Sequence, residues 1–394
     1  MKLNKLFLLA PIAVLSLTSC GKQVRYSEDK YIVNYNSAAN AVEYASKPKA
    51  PFNILQLSDI HFTYLADNEY HFKFIEKTIE AANTALQSTG GLHLIVITGD
   101  TFTFATKDTI KSCCNFFEKQ KIPWTITFGN HDEQGYFSVD WMTNYLTQLS
   151  KKETSNLLFV DYPNDDIFGS ANFVIDLHDE GTHKSDNRQI IMMDSNRYNY
   201  GEGMGYDYIH TDQIDWYERM FNYIKNDTNR SGSLNPTSLA FFHIPLPEFT
   251  DAYEKADKDK SKFQVSDIYD REGQMVQHDF QRTNRGEDES SPKVNSHFLD
   301  RMAKCEIDDQ IEEQPIKRYY TQGIFVGHDH VNNYCVDYDY NQDGTRDITF
   351  SYGIKATNTV YYDEAYLGGQ IIKFYPQTIQ TDLILHKYSQ MEVK

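Results

Sequence analysis

The chain has 394 residues, enough for one large α/β domain with insertions or for two domains of average size. Its 40% hydrophobic and 24% charged residues are typical of a globular protein, which excludes a collagen-like, coiled-coil or largely disordered chain. The formal net charge of −18 opposes binding to polyanions, so we expect no nucleic-acid partner.

Residues 1–19 have the features of a bacterial export signal. Lys2 and Lys5 form a basic start, and the apolar stretch that follows is too short to span a membrane comfortably. The sequence LTSC at residues 17–20 resembles a lipobox, so we expect Cys20 to be lipidated and to become the N-terminus. The protein would then lie in the cell envelope, anchored by lipid on the periplasmic or surface face of a membrane. A plain signal peptide with an incidental cysteine is the alternative.

Residues 20–50 are polar and suit a tether, and from residue 51 short apolar runs alternate with helical patterns. This alternation predicts one layered α/β domain over residues 51–394. The predicted strands are 52–58, 92–98, 124–128, 172–177, 189–194, 238–242 and 323–326. The predicted helices are 72–86, 108–120, 211–225 and 294–304. Residues 334–394 contain further short β runs joined by turns.

Two segments interrupt this pattern. Residues 251–293 are charged and are predicted to form an insertion loop near the site, with a disordered surface loop as the alternative. Arg271, Arg282 and Arg285 within it could bind a phosphate or could be solvated surface charges. Residues 196–208 are rich in Tyr and Gly, and either line a substrate pocket or form an ordinary loop.

Polar motifs follow most of the predicted strands directly. They are Asp59-Ile60-His61, Gly99-Asp100, Gly129-Asn130-His131-Asp132, His243 and Gly327-His328-Asp329-His330. Because the carboxyl ends of parallel strands share one edge of a sheet, we expect these motifs to meet there. Carboxylates, imidazoles and one amide suit Fe, Mn or Zn. Their number suits two ions bridged by a carboxylate, with a hydroxide held between them for direct attack on phosphorus.

This ordered series resembles the signature of the calcineurin-like metallophosphoesterases over roughly residues 51–335. The strings FFHIPLPEF at 241–249 and GHDHVNNY at 327–334 are similar to a purple-acid-phosphatase-like branch found in plants and fungi. The resemblance implies a four-layer α/β sandwich, with two mixed β-sheets flanked by helices and the metals at one edge.

The resemblance also implies a role for each motif residue. Asp59, His61 and His330 would bind the first metal, Asn130, His243 and His328 would bind the second, and Asp100 would bridge the two. His131 would be catalytic, as a general acid or a cationic stabiliser of the transition state. Asp132 is the carboxylate that could orient it.

The sequence departs from true purple acid phosphatases at two positions. Those enzymes have Gly where His61 stands, and a metal-bound Tyr where Thr103 stands. Without a phenolate ligand there is no reason to expect a purple colour or an obligatory ferric ion, so the metal identity stays open.

We therefore expect a metal-dependent hydrolase of small phosphate esters outside the cytoplasm, most simply a phosphomonoesterase. A phosphodiesterase or nucleotide hydrolase at the same site is one alternative. A non-catalytic surface lipoprotein that retains the fold is another, although no expected ligand is missing. No protein partner is predicted.

Overall fold

The computed structural model describes most of the chain from residue 50 onward. The described residues are 24–26, 32–37, 50–65, 68–161, 167–179, 185–201, 203–227, 235–311, 314–344 and 346–388. Cys20 and most of the predicted tether lie outside these ranges, so their roles stay predictions.

The described residues form nineteen strands and six α-helices. The strands are β1 (Val24–Tyr26), β2 (Ile32–Ser37), β3 (Phe52–Leu57), β4 (Leu94–Thr98), β5 (Trp124–Thr127), β6 (Phe173–Asp179), β7 (Ser185–Met192), β8 (Tyr198–Asn199), β9 (Gly205–Tyr206), β10 (Thr237–Phe241), β11 (Val265–Tyr269), β12 (Met275–Gln281), β13 (Glu306–Ile311), β14 (Gln314–Tyr319), β15 (Thr321–Val326), β16 (Cys335–Tyr338), β17 (Ile348–Tyr352), β18 (Gly368–Phe374) and β19 (Ile379–Leu385). The helices are α1 (Asn68–Ala85), α2 (Lys107–Lys119), α3 (Val139–Ser150), α4 (Thr211–Asn226), α5 (Glu248–Lys258) and α6 (Phe298–Met302).

Two large mixed sheets organise the molecule. The first has the order β1-β2-β6-β7-β10-β15-β17-β16, and the second has the order β12-β11-β19-β18-β3-β4-β5. Strands β3, β4 and β5 are mutually parallel, as are β7, β10, β15 and β17. Antiparallel pairs, such as β18 with β3 and β16 with β17, complete each sheet.

The core lies in layers on both sides of the first sheet. In β10, Leu239 and Phe241 belong to the core shared with the second sheet and α1–α3, whereas Ala240 belongs to the core shared with α4–α6. This alternation follows from the two-residue period of a strand. Two sheets flanked by helices are the predicted four-layer sandwich, and that prediction is confirmed.

Most predicted elements are present within a few residues of the predicted bounds. Two helices of the structure, α3 and α5, were not predicted. In α5 the buried positions are Phe249, Ala252 and Ala256, which have helical spacing. Two of the three are alanine, so the apolar signal is weak beside the surrounding charges. None of the described helices is both long and apolar enough to cross a membrane.

Residues 251–293 are not simply an insertion loop. They contain most of α5 and the β11–β12 pair, which extends the second sheet at its edge next to β19. Arg282, directly after β12, is fully buried, so neither phosphate binding nor surface solvation applies to it.

Arg282 joins the two sheets through hydrogen bonds. Its Nε donates to Asn333 O at 2.9 Å, and one terminal nitrogen donates to Tyr352 O, at the end of β17, at 2.7 Å. The other terminal nitrogen donates to Gln370 Oε1, in β18 of the opposite sheet. Gln370 in turn donates to Gln56 Oε1 in β3 at 3.0 Å. A planar guanidinium can satisfy several buried acceptors at once, which an ammonium cannot do in the same geometry.

We expect Arg282→Ala to lower the free energy of unfolding by about 3 kcal/mol or more, because it leaves several buried acceptors without a donor and opens a cavity. Arg271→Ala is the matched control, since the Arg271 side chain is partly exposed and forms an ion pair at 2.8 Å with the neighbouring Glu272, so its loss should cost about 1 kcal/mol or less. Urea unfolding followed by circular dichroism measures both. Equal losses in the two variants would contradict the proposed inter-sheet role.

Candidate metal centre

The five motifs lie on loops at one edge of the facing sheets. Asp59, Asp100 and Asn130 follow β3, β4 and β5 of the second sheet, and His243 and His328 follow β10 and β15 of the first. The strands within each set are parallel, so their loops leave from the same end.

Four motif residues have an unusual backbone conformation. Asp59, His61, Asp100 and His328 have φ values of 55°, 54°, 47° and 78°. Such left-handed conformations are costly for residues other than glycine and persist only where surrounding contacts impose them. Here the Asp59 N–H donates to Gly99 O at 3.2 Å and the His61 N–H donates to Asp100 O at 2.9 Å, so neighbouring loops fix each other.

Two motif glycines are required by close packing. A Cβ atom on Gly129 would lie 2.3 Å from Asp100 Oδ1, and one on Gly327 would lie 1.9 Å from Ser58 Oγ. Any side chain at these positions would displace the loops that carry the polar groups.

Asp59, His61, Asp100 and His330 form a first group of potential ligands. One oxygen or nitrogen of each lies within 4.8 Å of the corresponding atoms of the others. His330 Nε2 is 3.4 Å from Asp59 Oδ1 and 3.1 Å from His61 Nε2, and His61 Nε2 is 3.7 Å from Asp100 Oδ2.

Asp100, His243 and His328 form a second group with the same spacing. His243 Nε2 is 3.3 Å from Asp100 Oδ2 and 3.2 Å from His328 Nδ1. Asp100 belongs to both groups, so its carboxylate has the position of a bridge between two cations.

The protonation of two imidazoles follows from their hydrogen bonds. His243 Nδ1 lies 2.8 Å from Thr98 O, and His330 Nδ1 lies 2.9 Å from Tyr361 O. A carbonyl oxygen only accepts, so both Nδ1 atoms carry the proton and the Nε2 lone pairs face Asp100 and Asp59. Lone pairs and carboxylates that converge in a buried site need a cation or an extra proton between them, which is the arrangement of a metal site.

Burial and neighbouring charges shift the pKa values of three of these groups. Burial opposes the charged form of His243, but Asp100 beside it raises the pKa of His243 to about 10. Burial, followed by the nearby His243, lowers the pKa of His328 to about 3. Burial would raise the pKa of Asp59, but its hydrogen bond with His330 and the charge of His243 hold it well below the usual value.

Asn130, on the loop after β5, has a buried oxygen without a hydrogen-bond partner among the described residues. Its Nδ2 donates to the Tyr198 hydroxyl at 2.9 Å, while its buried Oδ1 has no hydrogen-bond partner among the described residues. A buried carbonyl oxygen without a donor is unfavourable, and a bound cation would satisfy it.

His131 lies where the candidate metal centre opens to solvent, and Asp132 does not orient its ring. The His131 side chain is 35% exposed, its Nε2 is 4.0 Å from Asp100 Oδ2, and its Nδ1 is 2.7 Å from Gln134 Oε1.

The oxygens of Asp132 do not contact the His131 ring but accept the Phe102 N–H at 2.8 Å and the Gly129 N–H at 2.7 Å. Burial and the nearby Asp100 raise the pKa of Asp132 to about 8. The expectation that Asp132 orients His131 is therefore wrong; Gln134 contacts the ring, and Asp132 fastens two loops.

The two departures from the purple acid phosphatase pattern are in contact with each other. His61 Nδ1 lies 2.5 Å from Thr103 Oγ1, whose hydroxyl oxygen can accept the ring N–H and turn Nε2 toward Asp100. Nothing in the sequence indicated this pair, because 42 residues separate its members.

Lys355, which follows β17, was not predicted from sequence. Its buried Nζ donates to Asp59 O at 2.7 Å, and burial lowers its pKa to about 8 despite Asp59 and Asp100 nearby. A single lysine after a strand gives no distinctive sequence signal, so only the fold identifies it.

The Tyr-rich segment, described at residues 196–201 and 203–208, lies beside the site. It contains the short β8–β9 pair, Tyr198 contacts Asn130, and the Tyr206 ring packs edge-on against the His328 ring at 4.4 Å. Residues 196–208 were expected either to line a substrate pocket or to form an ordinary loop, and these contacts support the first interpretation.

Comparison with known proteins gives one family. Residues 52–332 match the family model described as calcineurin-like phosphoesterase. The chain is 29% identical to probable inactive purple acid phosphatase 29 of Arabidopsis thaliana, over 72% of this chain and 68% of that protein. It is 25% identical to probable inactive purple acid phosphatase 14 of the same plant, over 73% and 67% of the two chains. It is 24% identical to phosphatase DCR2 of Saccharomyces cerevisiae, over 79% of this chain and 50% of that protein.

We expect Thr103→Val to weaken metal binding by about 10- to 100-fold, because His61 loses the contact that fixes its ring. Thr101→Val is the matched control, since the buried Thr101 hydroxyl has no partner among the described residues. Calorimetric titration of each metal-free variant with Mn²⁺ or Zn²⁺ compares their metal affinities with that of the wild type. Unchanged affinity in the Thr103 variant would show that the contact does not support the site.

Proposed function

The chain belongs to the calcineurin-like phosphoesterase family, and from that premise we propose that it is a phosphomonoesterase that uses two metal ions outside the cytoplasm. The observation that carries the proposal is the meeting of two ligand groups at Asp100. Two ions bound there would act as Lewis acids on the phosphoryl group and lower the pKa of an attacking water.

We propose these roles for the surrounding residues. Asp59, His61 and His330 would hold one ion, Asn130, His243 and His328 would hold the other, and Asp100 would belong to both sets of ligands. The second group needs Asn130 because two imidazoles and one shared carboxylate leave an incomplete set of ligands. Lys355, Thr98 and Tyr361 orient the ligand candidates through hydrogen bonds to Asp59, His243 and His330, respectively. The donor set suits Fe, Mn or Zn and does not select among them.

His131 is the proposed proton donor to the leaving group. It is the motif residue with a partly exposed ring, and its Nδ1 contact with Gln134 leaves Nε2 directed toward the site near Asp100. A protonated ring can donate from Nε2 to the oxygen of the departing alcohol while stabilising negative charge on the phosphoryl oxygens.

The proposal for substrate and location rests on sequence features. The net charge of −18 disfavours polyanionic substrates, which leaves small phosphate esters. The LTSC sequence at residues 17–20 favours lipidation of Cys20 and attachment to a membrane of the cell envelope. The complete set of seven ligand candidates favours an enzyme over a non-catalytic surface protein.

Replacement of His131 separates its proposed role from that of a ligand. We expect His131→Asn to retain both metals and to lower turnover of an alkyl phosphate by about 10²- to 10⁴-fold, with a smaller loss on 4-nitrophenyl phosphate. The acidic nitrophenol oxygen needs little protonation, so it depends less on a proton donor. Asp100→Asn is the contrasting variant, since it should lose metal and slow both esters together.

Steady-state kinetics and metal analysis on the same preparations test these expectations. Equal losses on both esters with a missing metal would place His131 among the ligands. Wild-type protein with two metals that hydrolyses only bis(4-nitrophenyl) phosphate would establish a phosphodiesterase instead. If the metal-loaded wild-type protein hydrolyses none of these phosphate esters, the non-catalytic alternative is favoured.

We expect Cys20→Ala to move the protein from the membrane fraction to the soluble fraction, because it removes the proposed site of lipid attachment. Cell fractionation and mass spectrometry of the mature N-terminus measure this. A mature wild-type chain with an unmodified N-terminus at another residue would contradict lipidation.

A further inference from the structure

A cleft of about 550 Å³ opens beside the candidate metal centre. Asn130 and Gln134 both line it; Asn130 is a ligand candidate on the loop after β5, and Gln134 contacts the His131 ring at 2.7 Å. The cleft therefore begins where the alcohol of a bound phosphoester would depart. Its other walls are the start of α3, residues 168–170, and described residues of the Tyr-rich segment between positions 196 and 207.

The walls of this cleft carry an excess of negative charge. Glu133, Asp140 and Asp207 line it, against one cation, Arg197. Arg197 is already paired with Glu133 at 2.7 Å, and both oxygens of Asp207 lie 3.2 Å from His210 Nε2. Asp140 is exposed and has no ion-pair partner among the described residues. A ligand with a positive charge would be attracted here, and one with a second negative charge would be repelled.

Aromatic rings line the same cleft. Phe168, Tyr198 and Tyr200 contribute, and Tyr200 is 83% exposed. Phe168 stacks on His210 with ring centroids 3.8 Å apart, and Tyr198 stacks on Tyr206 at 5.6 Å, so both rings are held in place. Fixed aromatic faces beside carboxylates are the combination that binds organic ammonium groups.

We propose that this cleft is a leaving-group subsite that selects phosphoesters of alcohols bearing an ammonium group. The inference rests on the proposed phosphomonoesterase function. Hydrolysis would break the bond between phosphorus and the alcohol oxygen and form one to the oxygen of water. The departing oxygen would take a proton, and the cationic alcohol would leave through the cleft.

Matched benzyl phosphates test the charge selection. The probes are 4-(aminomethyl)benzyl phosphate, unsubstituted benzyl phosphate and 4-carboxybenzyl phosphate, in which a methylene insulates the reacting oxygen from the charged group. We expect wild-type kcat/KM to be at least about fivefold higher for the cationic ester than for the anionic ester. Asp140→Asn should reduce this ratio, and Asp140→Lys should invert it.

Asp108→Asn is the matched control, because Asp108 occupies the same position in the first turn of α2 as Asp140 does in α3, and does not line the cleft. For Asp108→Asn, the ratio of kcat/KM for the cationic ester to that for the anionic ester should equal the wild-type ratio. A wild-type ratio near one, or a ratio that Asp140→Lys leaves unchanged, would overturn the inference.

Binding of the corresponding benzyl phosphonates, which cannot be hydrolysed, separates this inference from the proposed function. Calorimetry on metal-loaded wild-type protein should show tighter binding of the cationic phosphonate. If that preference holds while no ester is hydrolysed, the proposed function fails and the subsite remains. If the esters are hydrolysed without charge preference in rate or binding, the subsite fails alone.

Discussion

The structure depends on one electrostatic constraint at the edge of its two sheets. The Nε2 lone pairs of His243 and His330 face the carboxylates of Asp100 and Asp59 inside a buried site. Such a set of acceptors is stable only with positive charge among them, from protons or from metal ions. The high pKa of His243 beside Asp100 expresses this demand in chemical terms.

The surrounding scaffold holds these groups against that repulsion. Three loops adopt left-handed backbone at ligand candidates, and the motif glycines leave no space for a side chain between adjacent loops. Asp132 fastens the loops after β4 and β5 through two backbone N–H groups, and Lys355 holds the backbone of Asp59. These contacts fix the ligands before any ion binds, which is the condition for a well-defined site.

The cleft beside the metal centre shares the negative charge of the ligand groups. The centre collects ligands for cations, and the neighbouring cleft continues this negative character through Glu133, Asp140 and Asp207. His131 and Gln134 lie at the boundary between the two. The same chain can therefore present metal ligands to a phosphoryl group and a different set of side chains to the alcohol attached to it.

The sequence by itself determined the fold class, most strands and helices, and the candidate ligands, because local periodicity and short motifs after strands express these directly. Only the tertiary structure decided the contacts between distant segments, such as Thr103 with His61, Lys355 with Asp59, and Gln134 rather than Asp132 with His131. It also placed Arg282 between the sheets rather than at the surface. These outcomes depend on which loops pack together, and single residues distant along the chain carry no periodic signal of their partners.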